Sequence, residues 1–468
     1  MSNIIGTIKD ALTGKEQDYT SGSINRAIVL LSIPMVLEMG MEGLFALVDA
    51  FWVAKVSVDA VATVGMTESV ITIIYSIAIG LSAAATAMVS RRIGEHDPSG
   101  AARAAVQTFI IAGFISIILS LVGVVFAEDM LRLMGGSEKL IAECAGYTKI
   151  AFGTNIVILM IFLLNAVFRG AGNASYAMWV LIISNLLNMI LDPFLIFGWG
   201  PFPELGVSGA AIATSIGRGI GVIIQLYLLL KGVGIVKITR KHLIVHFATI
   251  KKIIELAAGG TFQYIIASAS WIFLMGIIAK SGSEAVAGYT IAIRVIVFTI
   301  MPAWGMANAA ATLVGQNLGA ENPQRAETSV WRTAHFAMLF MLVVSVIYIL
   351  TAYKIIPFFN ADPKVVEAGV LSLRIFSVGY VFFAYGMVIS SAFNGAGDTR
   401  TPTIINFVCF WLLEIPLGYL MGINLNMGLE GVCWAVFISE SIMAIVLILL
   451  FKKGKWKLIK LYNITFSL

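Results

Sequence analysis

Nine acidic or basic side chains stand five or more residues inside the apolar runs of this sequence: Glu38, Glu42, Asp49, Glu68, Asp192, Arg218, Arg294, Glu414 and Glu440. In hydrocarbon such a group costs on the order of 3 kcal/mol, so each is a functional candidate. Asp49 and Asp192 form the most informative pair. Asp49 stands six residues before Lys55, and Asp192 six before Gly198 on a run of opposite direction. At 1.5 Å per residue both lie roughly 9 Å inside the same end of their helices. Asn188 shares a helical face with Asp192, four residues on, and Thr214 of the next run adds a hydroxyl. Two carboxylates, an amide oxygen and a hydroxyl make an oxygen-only set that suits a hard cation such as Na⁺, or two acids that share a proton. The competing reading is a structural hydrogen-bonded pair. It is disfavoured because carboxylates without a basic partner are costly to bury.

Glu38, Glu42 and Asp49 are spaced four and seven apart and share one stripe of a helix. Either the stripe lines an aqueous cavity or the two glutamates find basic partners, with Arg294 expected as one. Glu68 with Arg294, and Arg218 with Glu440, are expected as ion pairs or gate contacts, whereas Glu414 has no partner acid at its depth in its own run. His242 and His246 have metal-like spacing but lack the glutamate of HExxH, so they read as a solvated linker face. No GxSxG is present either, which disfavours an intramembrane enzyme. Cys144, Cys409 and Cys433 are far apart and read as small core residues.

The elements that must carry these groups follow from composition. Of 468 residues, 59 % are apolar and 12 % charged, and the mean hydropathy is +0.93. A soluble chain has roughly 25 % charged residues, so a soluble enzyme, a disordered scaffold and a coiled coil are excluded. Apolar runs of helical length fall at about 27–54, 60–90, 104–126, 147–168, 175–197, 206–230, 253–279, 285–315, 332–353, 370–394, 403–423 and 427–451. They predict an all-α polytopic membrane protein with twelve transmembrane helices and no barrel pattern. Residues 1–25 lack an apolar stretch of signal-peptide type, so the first span is expected to be the insertion signal. Lys and Arg number 21 on one side of the predicted spans and 8 on the other. The positive-inside rule then places both termini in the cytoplasm. The net charge of +5 is not clustered as nucleic-acid binding requires.

The chain also repeats at a lag of 225 residues. Ala54-Lys55 matches Ala279-Lys280, Gly80, Gly94 and Pro98 match Gly305, Gly319 and Pro323, and Phe168-Arg-Gly-Ala-Gly172 matches Phe393-Asn-Gly-Ala-Gly397. This predicts two pseudo-symmetric six-helix lobes, a parallel repeat of transporter type with its site between the halves. Residues 1–26 read as a cytoplasmic N-terminal segment and 27–230 as the N-terminal lobe. Residues 231–252 read as a cytoplasmic linker, 253–451 as the C-terminal lobe and 452–468 as a basic cytoplasmic tail.

Ser32-Ile-Pro34, Leu47-Val-Asp49-Ala-Phe-Trp52, Phe168-Arg-Gly-Ala-Gly172-Asn, Leu191-Asp192-Pro193, Gly206-Val-Ser-Gly209 and Gly315-Gln-Asn-Leu-Gly319 together resemble the multidrug and toxic compound extrusion (MATE) transporters over residues 25–451. The resemblance implies a V-shaped central cavity, alternating access, and efflux of cationic or amphipathic drugs against Na⁺ or H⁺. The acids of the first and fifth spans resemble the DinF-like branch, which carries Asp49, Asn188, Asp192 and Thr214 over as its cation site. Another branch keeps a glutamate in the seventh span, where this sequence has Gln263 and Tyr264 and no acid. Glu38 and Glu42 depart from the expected pattern. The implied protein sits as a monomer in the inner (plasma) membrane, in contact with lipid, and uses a coupling ion but no cofactor. Its main competitor is a flippase for a lipid-linked saccharide, which would need a basic cavity.

Overall fold

The computed structural model describes residues 2–14 and 18–461, and among these it contains helices and no strand. Helix α1 (Ser2–Thr13) precedes α2 (Ile24–Ala54), α3 (Val58–Gly94), α4 (Pro98–Val125), the short α5 (Ala127–Leu133), α6 (Glu138–Gly153), α7 (Asn155–Gly170), α8 (Ala174–Phe197) and α9 (Val207–Lys231). After a connection come α10 (Phe247–Ala279), α11 (Ser283–Gly319), α12 (Pro323–Ile355) and α13 (Pro363–Ala396). The span Arg400–Asn424 and the helix Gly428–Lys452 complete the set. Eleven of these helices are long and apolar enough to cross a bilayer, and the pair α6 and α7, bent by 40°, makes a twelfth.

The duplication is visible in the elements. Helices α3 and α11 are each 37 residues long and begin 225 residues apart. Each is followed by a turn with a left-handed non-glycine residue, His96 (φ 55°) and Glu321 (φ 56°). The next residues, Asp97 and Asn322, cap α4 and α12 by accepting the Gly100 and Arg325 backbone N–H groups. The repeat breaks visibly at Thr154, where α13 is continuous while its counterpart is split into α6 and α7. There the side chains capture the backbone groups. Thr154 Oγ1 donates to the Ile150 carbonyl at 2.8 Å, and Asn155 Nδ2 donates to the Phe152 carbonyl at 2.6 Å and to Ser120 Oγ at 2.8 Å. Such competition with the helical ladder bends helices.

The described chain divides into two compact units. Unit 1 holds residues 2–14 and 37–261, and unit 2 holds 18–36 and 262–461. The expected boundaries near 27 and 253 therefore shift, because α2 and α10 each change unit partway, at Val36/Leu37 and Thr261/Phe262. Two repeat-related glycines explain the change. A Cβ on Gly80 would lie 2.6 Å from the backbone N of Thr261, and one on Gly305 would lie 2.7 Å from the Met35 carbonyl. Only glycine lets α3 receive the first part of α10, and α11 the first part of α2, at backbone contact. Such exchange has no hydropathy signature, so it is invisible in the span pattern.

The expected linker 231–252 is shorter in the structure, running from Gly232 to His246. The expectation that it is a solvated face holds only in part. His242 is buried, its Nδ1 accepts from the Thr239 backbone N–H at 3.1 Å, and its Nε2 lies 3.0 Å from Ser99 Oγ. Since Nδ1 accepts, Nε2 carries the proton and the ring is neutral. Burial, with Lys241 and Arg103, holds its pKa below the usual histidine value. Gln107 of α4 completes the fastening, donating to the Ile244 carbonyl and accepting from the His246 N–H. Residues 15–17 and 462–468 of the expected terminal segments lie outside the described residues.

Candidate functional site

Glycines seat α9 against α8 in unit 1. A Cβ on Gly217 would lie 2.7 Å from the Ser184 carbonyl and 3.0 Å from the Asn188 Cβ. This contact places Thr214, three residues earlier, opposite Asn188, whose Nδ2 donates to Thr214 Oγ1 at 3.1 Å and to Asp192 Oδ1 at 3.4 Å. Asn188 and Asp192 are both fully buried. Pro193 cannot donate to the Met189 carbonyl, which leaves a further oxygen without its helical partner beside them. Asp49 of α2 is close enough to act electrostatically on Asp192, and Glu68 of α3 acts on Asp49. Thus the structure brings Asp49, Asn188, Asp192 and Thr214 together in one unit.

The hydrogen-bond ledger of this group is incomplete. Asp49 Oδ1, Asn188 Oδ1 and Asp192 Oδ2 are buried acceptors with no donor. Buried polar atoms are nearly always paired, and three orphaned oxygens from three residues form the kind of set a cation or proton satisfies. Sequence reasoning missed Tyr147 of α6. This residue is buried and lies within electrostatic reach of Asp49, Glu68 and Asp192. Its only sequence signal was a lone phenol in an apolar run.

The remaining acids of the stripe are neutralised, though not by the expected partner. Glu38 Oε1 meets Arg169 Nη1 at 2.6 Å, and Glu42 Oε2 meets Arg218 Nη2 at 3.1 Å. Arg218 also lies 3.5 Å from the Tyr75 hydroxyl and stacks its guanidinium 4.8 Å over the Phe45 ring. Arg294 is exposed, and within unit 1 it is Arg169 and Arg218 that pair with Glu38 and Glu42. By the positive-inside rule alone, Arg169 is one of the 21 basic residues on the cytoplasmic side of the spans. Its burial follows from its place at the end of α7, where Gly170 lies against α3.

In unit 2 the repeat preserves the contact and discards the charge. Gln263 and Asn394 stand 225 residues after Glu38 and Arg169, and their amides bond reciprocally at 3.0 and 3.1 Å, with the Thr399 carbonyl as a third partner. Tyr264 is half-buried beside them. Glu414 is buried, and the last helix brings Glu440, an acid outside its own run, into its field.

At the ends of α2 and α8, Trp52, Phe197 and Trp199 pack edge to face at about 6 Å, and Lys55 lies 4.3 Å over Phe51. Amphipathic rings of this kind suit a bilayer interface.

Comparison with known proteins agrees with this architecture. The MatE family profile matches residues 34–194 and again 261–420, one match per repeat. The chain is 28 % identical to a probable multidrug resistance protein, NorM, of Thermotoga maritima over 93 % of each chain. It is 26 % identical to an FAD transporter of Shewanella oneidensis over 91 % of this chain and 94 % of that one. A crystallised MATE protein in complex with MaL6 superimposes with a TM-score of 0.88 at 26 % identity, over 93 % of this chain and 97 % of that one.

Proposed function

The chain belongs to the MatE family of membrane transporters, and from that premise we propose that it is a secondary active exporter. Its cargo is small cationic or amphipathic organic compounds, driven out by the entry of H⁺ or Na⁺ through alternating access. As a member of this family it is an integral membrane protein and a transporter, not an enzyme. The observation that carries the reading is the set of three orphaned acceptors on Asp49, Asn188 and Asp192.

A coupling ion entering this set takes up the oxygens that the fold leaves unpaired. The Asn188 amide nitrogen stays committed to Thr214 and Asp192, so its Oδ1 is held facing the ion rather than free to turn away. Na⁺ would be ligated by the three oxygens with Thr214 Oγ1, whereas H⁺ would attach to a carboxylate. Transport requires that the ion bind the two access states with different affinity, since equal affinity shifts nothing. Asp49 and Asp192 come from α2 and α8, so an ion that bridges them alters the standing of α2 against its unit.

Cargo preference follows from the charge count. Within the membrane spans of unit 1, Arg169 and Arg218 pair with Glu38 and Glu42, which leaves Asp49, Glu68 and Asp192 as acids without a basic partner in those spans. In a low-dielectric surround this favours cations. Both termini lie in the cytoplasm by the charge count, and the protein works in the inner membrane.

The test uses purified protein in liposomes with an imposed Na⁺ or proton gradient and ethidium as cargo. Gradient-driven ethidium movement that Asp49→Asn and Asp192→Asn each abolish is the expected result. Transport of an anionic flavin dinucleotide in place of ethidium would replace the cargo reading. Ethidium movement that ignores both gradients would overturn the exporter.

A further inference from the structure

Unit 2 contains a second acidic pair that the coupling reading does not use. Glu414 is 1 % exposed and neither carboxylate oxygen has a hydrogen-bond partner. Glu440 of the last helix is part-exposed, yet its Oε2 is buried and equally unpartnered. The two interact electrostatically, and Cys409 lies in the field of both. The hydroxyls of Ser439 and Ser441, which flank Glu440, are also buried without partners. Around Glu414 the helix is wound in the wider π form over Phe407–Glu414 and again over Leu420–Asn424. Such i→i+5 winding is rare and concentrates at functional sites.

We propose that Glu414 and Glu440 form a proton-binding site in unit 2, in which one proton is shared between two carboxyl groups, separate from the oxygen set of unit 1. Two carboxylates with buried, unpartnered oxygens, each in the other's field, cannot both stay ionised out of water. A single proton, bound to one oxygen and bridging to the other, removes one charge and supplies the missing donor. Among the described residues no basic side chain is paired with either acid. The α11 helix presents Tyr289, which feels Glu414, and Cys409 comes from the same span as Glu414. From α10 the aliphatic Leu274 and Ile277 lie against Gly418, one helical turn on from Glu414. Glu440 is the one charge that acts on Glu414. Aligning Gly209 with Gly431 puts Glu440 where unit 1 has Arg218, so unit 2 holds a carboxylate in place of the guanidinium. The surroundings favour a proton over Na⁺, because a thiol is a poor ligand for a hard cation and the Ser439 and Ser441 hydroxyls, as sequence neighbours of Glu440 on a helix, leave on other faces.

The pH-difference infrared spectrum of the purified protein in nanodiscs tests this without any transport assay, so its failure is distinguishable from failure of the exporter reading. The wild type should show the carbonyl stretch of a protonated carboxylic acid that persists in the Asp49→Asn, Asp192→Asn double variant. Glu414→Gln should lose that band, and Glu440→Gln should shift its frequency as the bridge is broken. If Glu414→Gln does not yield monodisperse protein, Glu440→Gln and Glu414→Asp carry the test, the latter with a shifted band. A band unchanged in both glutamate variants, or lost only with Asp49 and Asp192, would overturn the site. Loss of the band on replacing choline by Na⁺ at constant pH would overturn the proton assignment.

Discussion

Replacing Asp192 by asparagine should make the ion-free protein more stable while removing its response to the coupling ion. The magnitude follows from the three orphaned acceptors on Asp49, Asn188 and Asp192. An unsatisfied buried acceptor costs about 1–3 kcal/mol, and more when charged. Exchanging one carboxylate for a neutral amide should therefore return about 1–3 kcal/mol to the ion-free state. In the wild type an ion present at a hundred times its Kd adds about 2.7 kcal/mol through binding to the folded state alone. In the Asp192→Asn variant that increment should vanish. The assay is fluorescence-detected unfolding in detergent, titrating NaCl against choline at fixed ionic strength and, in a second series, varying pH. Asp49→Asn should behave alike, because its Oδ1 is part of the same set. An ion-dependent increment of equal size in wild type and both variants would refute the coupling role and leave the four residues as a structural cluster.

At the buried Glu38–Arg169 pair, Glu38→Gln alone should cost about 3–5 kcal/mol by leaving the guanidinium unmatched. The Glu38→Gln, Arg169→Asn double variant should recover most of it in a double-mutant cycle, since Gln263 and Asn394 already bond in that form. Gly80→Ala should destabilise by about 1–3 kcal/mol through overpacking, because its Cβ would press on Thr261; unchanged unfolding would refute the close approach. His242 has a folded pKa below its unfolded value of about 6.5, so its contribution is complete above that value and is lost as pH falls through the folded one. The hydrogen-exchange protection of residues 239–246, taken relative to the intrinsic rate, should fall as pH drops below the ordinary histidine range, and His242→Gln should remove that dependence. A cysteine replacing the exposed Lys241 should react with an impermeant thiol reagent only from the cytoplasmic side; labelling of intact cells would reverse the orientation.

The spans were legible because hydropathy and length alone define a membrane helix. The acids at positions 49 and 192 stood out for the same reason: an ionisable group is conspicuous in an apolar run. Partnership was not legible. Arg169 looked like one more positive charge at a helix end, and nothing in its neighbourhood points to Glu38, 131 residues away. The change of unit within α2 and α10 was hidden because it depends on Gly80 and Gly305, and glycine spacing reports backbone approach only once the partner helix is known. Tyr147 was missed because a phenol in an apolar helix is ordinary until the carboxylates around it are located.

The pairs Glu38–Arg169 and Gln263–Asn394 also constrain how the two halves of a duplicated gene could have drifted apart. Starting from either pair, a first substitution leaves one charged residue facing an amide in a buried place. An arginine stranded in this way has no escape, since a guanidinium cannot give up its proton in a protein. A stranded glutamate can take one up and face the amide as a neutral acid. The passable intermediate is therefore glutamate opposite asparagine, and the arginine is the residue that must arrive last or depart first.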